Sequence, residues 1–151
     1  METVKVTNDS MDVDMLNFDF VFVGSGVYGQ FPGKPMIELN RRLLQKYNEA
    51  GEVKPASPRR PSANVVVYCT YGGMHTGVNE AIPAVKLMGQ LYDHLGYNIV
   101  AEWYVVGEYK TGRLRERSTS GRLGDIRGRP NMEDLKEVAE KVKGIIKAYS
   151  T

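Results

Sequence analysis

The spacing of hydrophobic residues along this chain changes repeatedly between the two-residue period of strands and the 3.6-residue period of helices. Short apolar or alternating runs predict strands near residues 3–7, 19–24, 64–70 and 98–106. Longer runs with apolar positions three and four residues apart predict helices near residues 35–50, 79–95 and 131–149. Strands that alternate with amphipathic helices are typical of an α/β domain with parallel strands and crossover helices.

Two of the predicted strands are hydrophobic on both faces, which indicates a sheet covered by helices on both sides. These are Asp19–Val23, with the sequence DFVFV, and Asn64–Cys69, with the sequence NVVVYC. Thr3–Thr7 instead alternates and is β-branched, which predicts a short strand, and Asn8–Ser10 is expected to break it. Asn131 is a typical N-cap for the last helix.

At 151 residues the chain has the length of one domain, and no repeat divides it, so residues 1–151 are expected to form a single domain. Hydrophobic residues make up 42% and charged residues 25%, which is typical of a globular protein. The net charge of +2 argues against nucleic-acid binding through bulk charge.

The apolar runs are too short to span a bilayer, and residues 1–5 lack the basic start and apolar core of a signal peptide. Cys69 is the single cysteine, so it forms no internal disulfide, and no cysteine–histidine cluster has the spacing of a zinc site. These features predict a cytoplasmic, metal-free domain without membrane contact.

Two segments rich in glycine and hydroxyl groups follow two of the predicted strands. The first is Gly24–Gly29, with the sequence GSGVYG, and the second is Thr70–Gly77, with the sequence TYGGMHTG. In a parallel sheet the ligand crevice lies outside the carboxyl ends of the strands, so both segments are expected to border it. Glycines allow backbone amides to approach a ligand closely, and the ring of Tyr28 can stack on a flat heterocycle.

Plainer interpretations of both segments remain open. Gly24–Gly29 can be a glycine-rich connection in which Tyr28 packs on its neighbours, and Thr70–Gly77 can be an ordinary strand-to-helix turn. The second segment enters a helix near Asn79, so free amide groups and the positive end of the helix dipole are expected to face the crevice. His75 is a candidate acid or base, although a single histidine in a polar loop is more commonly solvated.

Residues 107–130 lack a clear period and are predicted to form a loop. Six arginines lie in it, at positions 113, 115, 117, 122, 127 and 129. They can receive a phosphate or an acidic partner protein, but a solvated mobile loop is the commoner outcome for such a run. The alternation of charged and apolar residues from Arg113 to Arg117 also fits an extension of the preceding strand.

In order and spacing, these segments resemble the flavodoxin-like family of FMN-binding domains, in particular the branch found in multimeric and iron–sulfur-associated flavoproteins. The segments that carry the resemblance are DFVFVGSGVYGQFPGKPMIELN, NVVVYCTYGGMHTGVNEAI, GYNIVAEWYVVGEY and GRPNMEDLKEVAEKV. The resemblance implies a flavodoxin-like three-layer fold with a parallel sheet of order 2-1-3-4-5. It also implies FMN as the cofactor, which carries the redox chemistry.

The resemblance assigns cofactor contacts to both glycine-rich segments and no catalytic residue. The loop matched to one face of the isoalloxazine contains Ser25, Gly26, Val27, Tyr28 and Gly29, with Tyr28 as the stacking ring. The loop matched to the pyrimidine side of the flavin, which acts chiefly through backbone amides, contains Thr70, Tyr71, Gly72, Gly73, His75 and Gly77.

One part of the family pattern has no counterpart in this sequence. In the family, the first strand ends in a hydroxyl- and glycine-rich loop that binds the FMN phosphate, whereas Thr3–Thr7 matches the second strand. The resemblance therefore implies an N-terminally incomplete sheet in which the strand at residues 19–23 lacks a neighbour. We expect this chain alone to bind FMN weakly or not at all, and a homo-oligomer or another chain to complete the sheet.

The resulting functional prediction is FMN-dependent electron transfer or a flavin-dependent reduction, with a redox partner protein or a second copy of the chain as partner. The alternative is a non-catalytic flavodoxin-fold subunit that has lost FMN and binds a partner protein. A third possibility is an NAD(P)H-dependent quinone or metal reductase, which requires FMN and access for the nicotinamide.

Overall fold

The computed structural model describes residues 3–7 and 13–149 of the chain. Its strands are β1 (Phe20–Tyr28), β2 (Phe31–Pro32), β3 (Asn64–Tyr71) and β4 (Asn98–Val106). Its α-helices are α1 (Lys34–Glu49), α2 (Ile82–His94) and α3 (Met132–Tyr149). Short 3-10 helices occupy Met15–Asn17, Gly77–Glu80 and Gly112–Ser118. The strands predicted near residues 19–24, 64–70 and 98–106 and the three predicted helices are therefore confirmed.

The four strands form one sheet with the order β2-β1-β3-β4. β1 and β3 are parallel, with Phe20 opposite Asn64 at one end and Gly26 opposite Thr70 at the other, and β4 is parallel to β3. The two-residue strand β2 is antiparallel to β1. The chain is an α/β protein with a mostly parallel sheet, and three of the five parallel strands that the resemblance implies are present among the described residues.

Helices α1 and α2 cover one face of the sheet. The side chains of Val65, Val67 and Cys69 alternate toward this face from the central strand β3, and all three are fully buried. The helices contribute Met36, Leu39, Leu43, Tyr47, Val85, Met88, Leu91 and Tyr92 to the same core. Each large apolar side chain buried in this way contributes about 1.5–3 kcal/mol.

The opposite face of the sheet carries α3 and is covered less completely. Phe20 contacts Tyr149 of α3 with ring centroids 6.4 Å apart, and Phe22 lies 5.1 Å from Phe20 and 6.0 Å from Trp103. No described residue of α3 is buried, and Leu135 remains 53% exposed. Among the described elements, α3 is the single α-helix on this face of the sheet, whereas α1 and α2 together cover the other face. The apolar side of α3 is therefore partly exposed.

The predicted strand at Thr3–Thr7 is wrong, since this segment pairs with no strand in the described part of the chain. Its burial nevertheless alternates, with Val4 and Val6 half-buried, and Val6 packs against the core. A strand requires a hydrogen-bonded neighbour as well as alternation, and no described strand supplies one here. The predicted break at Asn8–Ser10 lies outside the described residues.

A group of tyrosines fixes the segment that enters β1. The hydroxyl of Tyr97 lies 2.5 Å from the carbonyl oxygen of Met15 and 2.8 Å from that of Phe18. The hydroxyl of Tyr47 accepts a hydrogen bond from the Met15 amide at 2.7 Å and donates one to Asp14 Oδ1 at 2.9 Å. The start of β1 is thereby tied to α1 and to the segment before β4.

The predicted loop at residues 107–130 contains the 3-10 helix Gly112–Ser118, which excludes the strand extension considered for its arginines. Ser118 is 1% exposed. Its hydroxyl accepts a hydrogen bond from the Tyr109 amide at 2.9 Å, and its carbonyl accepts one from the Ile126 amide at 2.8 Å. Hydrogen bonds at Ser118 therefore anchor part of the segment, while Arg113, Arg115 and Arg117 are exposed to solvent as its composition predicts.

The start of α3 confirms the predicted cap. Asn131 Oδ1 accepts hydrogen bonds from the amides of Glu133 and Asp134, at 2.9 and 3.1 Å. Asp134 in turn accepts a hydrogen bond from the Asn131 amide at 2.7 Å and pairs through both carboxylate oxygens with Arg129. Within residues 3–7 and 13–149, no helix combines the length and hydrophobicity needed to cross a membrane.

Candidate functional site

The predicted loop at Gly24–Gly29 is largely strand. The backbone continues as β1 through Tyr28, and its pairing with β3 extends to Gly26. The turn comes at Gly29 and Gln30, whose φ angles are 55° and 73°, and it leads into β2. The prediction of a loop from Gly24 is therefore wrong, because Gly24 and Gly26 lie within the strand, and the turn begins only at Gly29.

Alternation along β1 divides the predicted site residues between the two faces of the sheet. Val27 packs against the core under α1 and α2. Ser25 lies on the same side, where its hydroxyl accepts a hydrogen bond from the Gly33 amide at 2.9 Å. Gly26 and Tyr28 lie on the opposite side, toward α3. Ser25 and Val27 are thus engaged within the fold and point away from the face that carries Tyr28.

Gly26 and Tyr28 belong to an exposed aromatic surface on the α3 side of the sheet. A Cβ at Gly26 would lie 3.1 Å from the Tyr28 ring, and a Cβ at Gly24 would lie 2.3 Å from the Tyr68 ring. Phe31 of β2 is the cross-strand partner of Tyr28. Tyr28, Phe31 and Tyr68 are 68, 56 and 37% exposed. We call these five residues the aromatic shelf.

Thr70 extends the aromatic shelf along β3. It lies opposite Gly26 in the sheet and is exposed, so its hydroxyl is available to a ligand on the shelf. Tyr71, the next residue, faces the other side and is 9% exposed. Burial raises the pKa of the Tyr71 phenol above its ordinary value. Thr70 is therefore placed to contact a ligand, whereas Tyr71 belongs to the core.

The loop after β3 folds back on itself. The Gly77 amide donates a hydrogen bond to the Gly73 carbonyl at 3.0 Å, and a Cβ at Gly73 would lie 2.7 Å from the Gly77 carbonyl oxygen. The φ angles of Gly73 and Gly77 are 53° and 68°, values that favour glycine. The ring of Tyr109 lies against Gly72, where a Cβ would meet it at 2.3 Å. Gly73 and Gly77 are therefore required by the loop itself, and Gly72 by its contact with Tyr109.

A carboxylate of the chain occupies two amide groups of this loop. Glu80 Oε1 accepts hydrogen bonds from the amides of His75 and Thr76, at 2.6 and 2.7 Å. The helix expected near Asn79 is a 3-10 turn there, and α2 begins at Ile82. The prediction of free amide groups facing the crevice is therefore wrong at His75 and Thr76. The side chain of His75 is exposed to solvent.

Two concave regions of the molecule lie away from the predicted site. One, of about 220 Å³, is lined by residues that include Arg59 and His94. The other, of about 570 Å³, lies along α3 and is lined by residues that include Asp134 and Glu140. Neither region is bordered by a residue of the aromatic shelf or of the two glycine-rich segments.

Three aromatic residues of this region were not predicted from the sequence as site residues. Tyr68 alternates away from the core side of β3, so its place beside Gly24 follows once β1 and β3 are paired in register. The position of Phe31 depends on the hairpin between β1 and β2. Only two residue pairs form this hairpin, so the sequence carries almost no signal for it. Tyr109 reaches Gly72 from a distant connection, and the local sequence carries no sign of that contact.

In the part of the chain that the structure describes, no group of three or more histidine, cysteine, aspartate or glutamate side chains could hold a metal ion. No family model, no curated protein and no solved structure matches the chain. The fold and the aromatic shelf together define an α/β protein with an exposed aromatic surface at the carboxyl end of its first parallel strand.

Proposed function

We propose that this chain is a flavodoxin-like domain that binds the isoalloxazine ring of FMN on the aromatic shelf and serves electron transfer or a flavin-dependent reduction. One observation carries the proposal. Tyr28, 68% exposed, ends β1 at the carboxyl edge of the parallel sheet, where α/β proteins bind ligands. The resemblance of the sequence to flavodoxin-like domains assigns the stacking ring to the same residue.

The arrangement of the aromatic shelf suits a flat heterocycle. The Tyr28 ring lies against Gly26, so the strand supports it, and the residue is 68% exposed, which leaves ring area for stacking. Tyr68 and Phe31 offer further apolar area nearby, and Thr70 offers a hydroxyl for a polar edge. Stacking of a base on an aromatic side chain contributes about 1–3 kcal/mol. FMN supplies the redox chemistry when it is bound.

Recognition of the FMN phosphate is the weak part of this arrangement. No residue of the aromatic shelf carries a charge, and the amides of His75 and Thr76 already bind the carboxylate of Glu80. Backbone amides that receive a phosphate normally supply much of the affinity for a nucleotide. We therefore propose that this chain alone binds FMN weakly, and that the phosphate adds little to the affinity.

Flavin titration tests the proposal. Riboflavin and FMN are titrated against the purified chain and flavin fluorescence is followed, with Tyr28→Ala as the test variant and Tyr149→Ala as the control. Both flavins are expected to bind at micromolar or weaker affinity and within about threefold of each other. Tyr28→Ala is expected to weaken both by roughly 1–3 kcal/mol. Tyr149 is also an exposed tyrosine, but it lies on α3 against Phe20, so its removal should leave the affinity unchanged.

Three results would count against the proposal. Nanomolar binding of FMN but not of riboflavin would contradict weak phosphate recognition. If neither flavin binds, the chain has no flavin-dependent function, and the non-catalytic subunit described below is favoured instead. An unchanged affinity in Tyr28→Ala would mean that Tyr28 only packs against the strand.

The second candidate is a non-catalytic subunit that uses the same fold to bind another polypeptide. It is favoured by the edge of β1 that faces away from β3. On this edge β2 pairs only with Val27 and Tyr28, and the backbone of Phe20–Gly26 has no strand partner among the described residues. This segment carries no charged residue and no proline, two features that normally protect an open edge. We propose that a second copy of the chain pairs with this edge.

Concentration dependence tests the second candidate. Light scattering is expected to give a dimer at micromolar concentration, and hydrogen exchange of the Phe20–Gly26 amides is expected to slow as the concentration rises. Amides of β3, which are paired on both sides, serve as the internal control. A monomer whose β1 amides exchange at the same rate at all concentrations would contradict self-association through this edge.

A further inference from the structure

Charge is distributed unevenly along the chain. Residues 110–129 contain seven basic and two acidic residues, a net charge of +5. The rest of the chain contains thirteen basic and sixteen acidic residues, a net charge of −3. The overall charge of +2 is therefore the sum of one strongly basic segment and an otherwise acidic chain. We call residues 110–129 the basic segment.

Most arginines of the basic segment have no carboxylate partner. Arg127 pairs with Asp125, and Arg129 pairs with Asp134. Within the part of the chain that the structure describes, no ion pair is formed by Arg113, Arg115, Arg117 and Arg122. The first three of these lie on the 3-10 helix Gly112–Ser118 and are exposed.

Several contacts anchor the backbone of the basic segment. Besides the buried hydroxyl of Ser118, the buried side chain of Ile126 anchors the basic segment. The Arg122 amide donates a hydrogen bond to the Met74 carbonyl at 2.8 Å, and a Cβ at Gly121 would lie 3.1 Å from the Met74 Cα. Like charges that are close together in one segment repel one another, so a segment with several unpaired arginines favours an anionic partner.

The surroundings of the arginines indicate which kind of anion they fit. Leu114 and Leu123 lie among them and are 42 and 37% exposed. Arginine combined with exposed apolar side chains is typical of protein interfaces, whereas phosphate backbones are contacted mainly by basic and hydroxyl side chains. Neither of the two concave regions described above is lined by any of the four unpaired arginines.

We propose that the basic segment is a docking surface for an acidic protein partner, with Arg113, Arg115, Arg117 and Arg122 as the charged contacts and Leu114 and Leu123 as the apolar ones. The surface lies beside the loop that follows β3, through the contact between Gly121 and Met74. A partner bound there would sit at the carboxyl edge of the sheet. The docking surface does not depend on flavin binding, and it remains if the chain carries no cofactor.

Two polyanionic polypeptides serve as probes. Poly-L-glutamate supplies acidic charge alone, and a glutamate–tyrosine copolymer adds apolar area. Fluorescence anisotropy of labelled probe is measured with the wild type, with R113E/R115E, and with K136E/K147E, which makes the same change of net charge on exposed positions of α3. Circular dichroism verifies that each variant is folded.

The expected results are specific to the basic segment. R113E/R115E should weaken both probes at least about tenfold, K136E/K147E should weaken them less than about threefold, and binding should fall as salt rises. The copolymer should bind more tightly than poly-L-glutamate, and L114S/L123S should remove that difference. Equal losses in the two charge variants would overturn the proposal, because bulk charge would then explain the binding. Tighter binding of duplex DNA than of either polypeptide would also overturn it.

Discussion

The ring of Tyr68 lies so close to Gly24 that a Cβ at Gly24 would fall 2.3 Å from two of its ring atoms. The two residues are direct neighbours in the parallel pairing of β1 and β3. An aromatic ring packed on a strand glycine fills the space that the glycine leaves empty and fixes the register of the two strands. Gly24 is therefore required by its neighbour and not by its own backbone conformation.

Gly24→Ala is expected to lower the free energy of unfolding by roughly 1–3 kcal/mol, because the new methyl group displaces the Tyr68 ring. In a Tyr68→Ala background the same substitution should cost much less, which gives a coupling energy between the two positions. Gly144→Ala in α3 is the matched control, since nothing lies within 4 Å of its Cβ position and alanine favours a helix. Urea denaturation measures all four variants, and additive effects at positions 24 and 68 would contradict this contact.

Glu80 is expected to stabilise the loop after β3 through the amides of His75 and Thr76. Glu80→Ala should lower the free energy of unfolding by about 1–2 kcal/mol, the range found for loss of a side-chain cap. Glu80→Gln keeps a carbonyl acceptor and should lose about half as much. Urea denaturation is again the measurement. Equal losses in the two variants would mean that the charge alone matters, and no loss in either would mean that the two hydrogen bonds do not form in solution.

The thiol of Cys69 is expected to be unreactive in the folded protein. The side chain is fully buried, and burial raises its pKa to about 12, so almost no thiolate is present near pH 8. Reaction with a chromogenic disulfide at pH 8 should be slower than in urea-unfolded protein by a factor on the order of 100 or more. Cys69→Ser/Ser120→Cys, with its thiol at an exposed loop position, is the control that should react fast. Rapid native labelling of Cys69 would contradict its burial.

The sequence predicts the parallel framework because Phe20–Val23 and Val65–Val67 are apolar without interruption, a pattern typical of strands that are buried on both faces. It fails at Thr3–Thr7, where alternation is present but a strand partner is absent among the described residues. Strand pairing depends on residues far apart in the chain, and a local period carries no information about it.

The candidate site illustrates the same limit. The sequence predicts that a glycine-rich loop begins at Gly24, yet the strand continues through Gly24 and Gly26, and the rings of Tyr68 and Tyr28 pack on them and compensate for the missing side chains. The occupancy of the loop amides by Glu80 was also not predicted. The capping box of a helix start places a carboxylate three residues after the N-cap, whereas Glu80 lies four and five residues after the amides that it binds, so this contact depends on how the loop closes.

Three tyrosines in contact with the segment before β1 give the protein a predictable response to alkaline pH. Burial is the main cause that raises the pKa of Tyr47, Tyr92 and Tyr97. In the unfolded chain these phenols ionise near pH 10, so above that pH the folded state keeps protons that the unfolded state has released. The contribution of the three groups to stability is therefore complete below about pH 10 and is lost as the pH rises further.

Tyr92→Phe isolates one of these groups. The substitution keeps the ring that packs edge-on against Tyr97 at 5.6 Å and removes a hydroxyl that donates a hydrogen bond to the Met15 sulfur at 3.8 Å. Near neutral pH its stability should match the wild type within about 0.5 kcal/mol. Above about pH 10 its stability should fall less steeply, because one fewer phenol resists ionisation.

Tyr149→Phe, at an exposed position of α3, should follow the wild-type curve. Urea denaturation at a series of pH values gives the slopes, and identical slopes for Tyr92→Phe and the wild type would show that Tyr92 ionises as readily in the folded protein as in the unfolded chain.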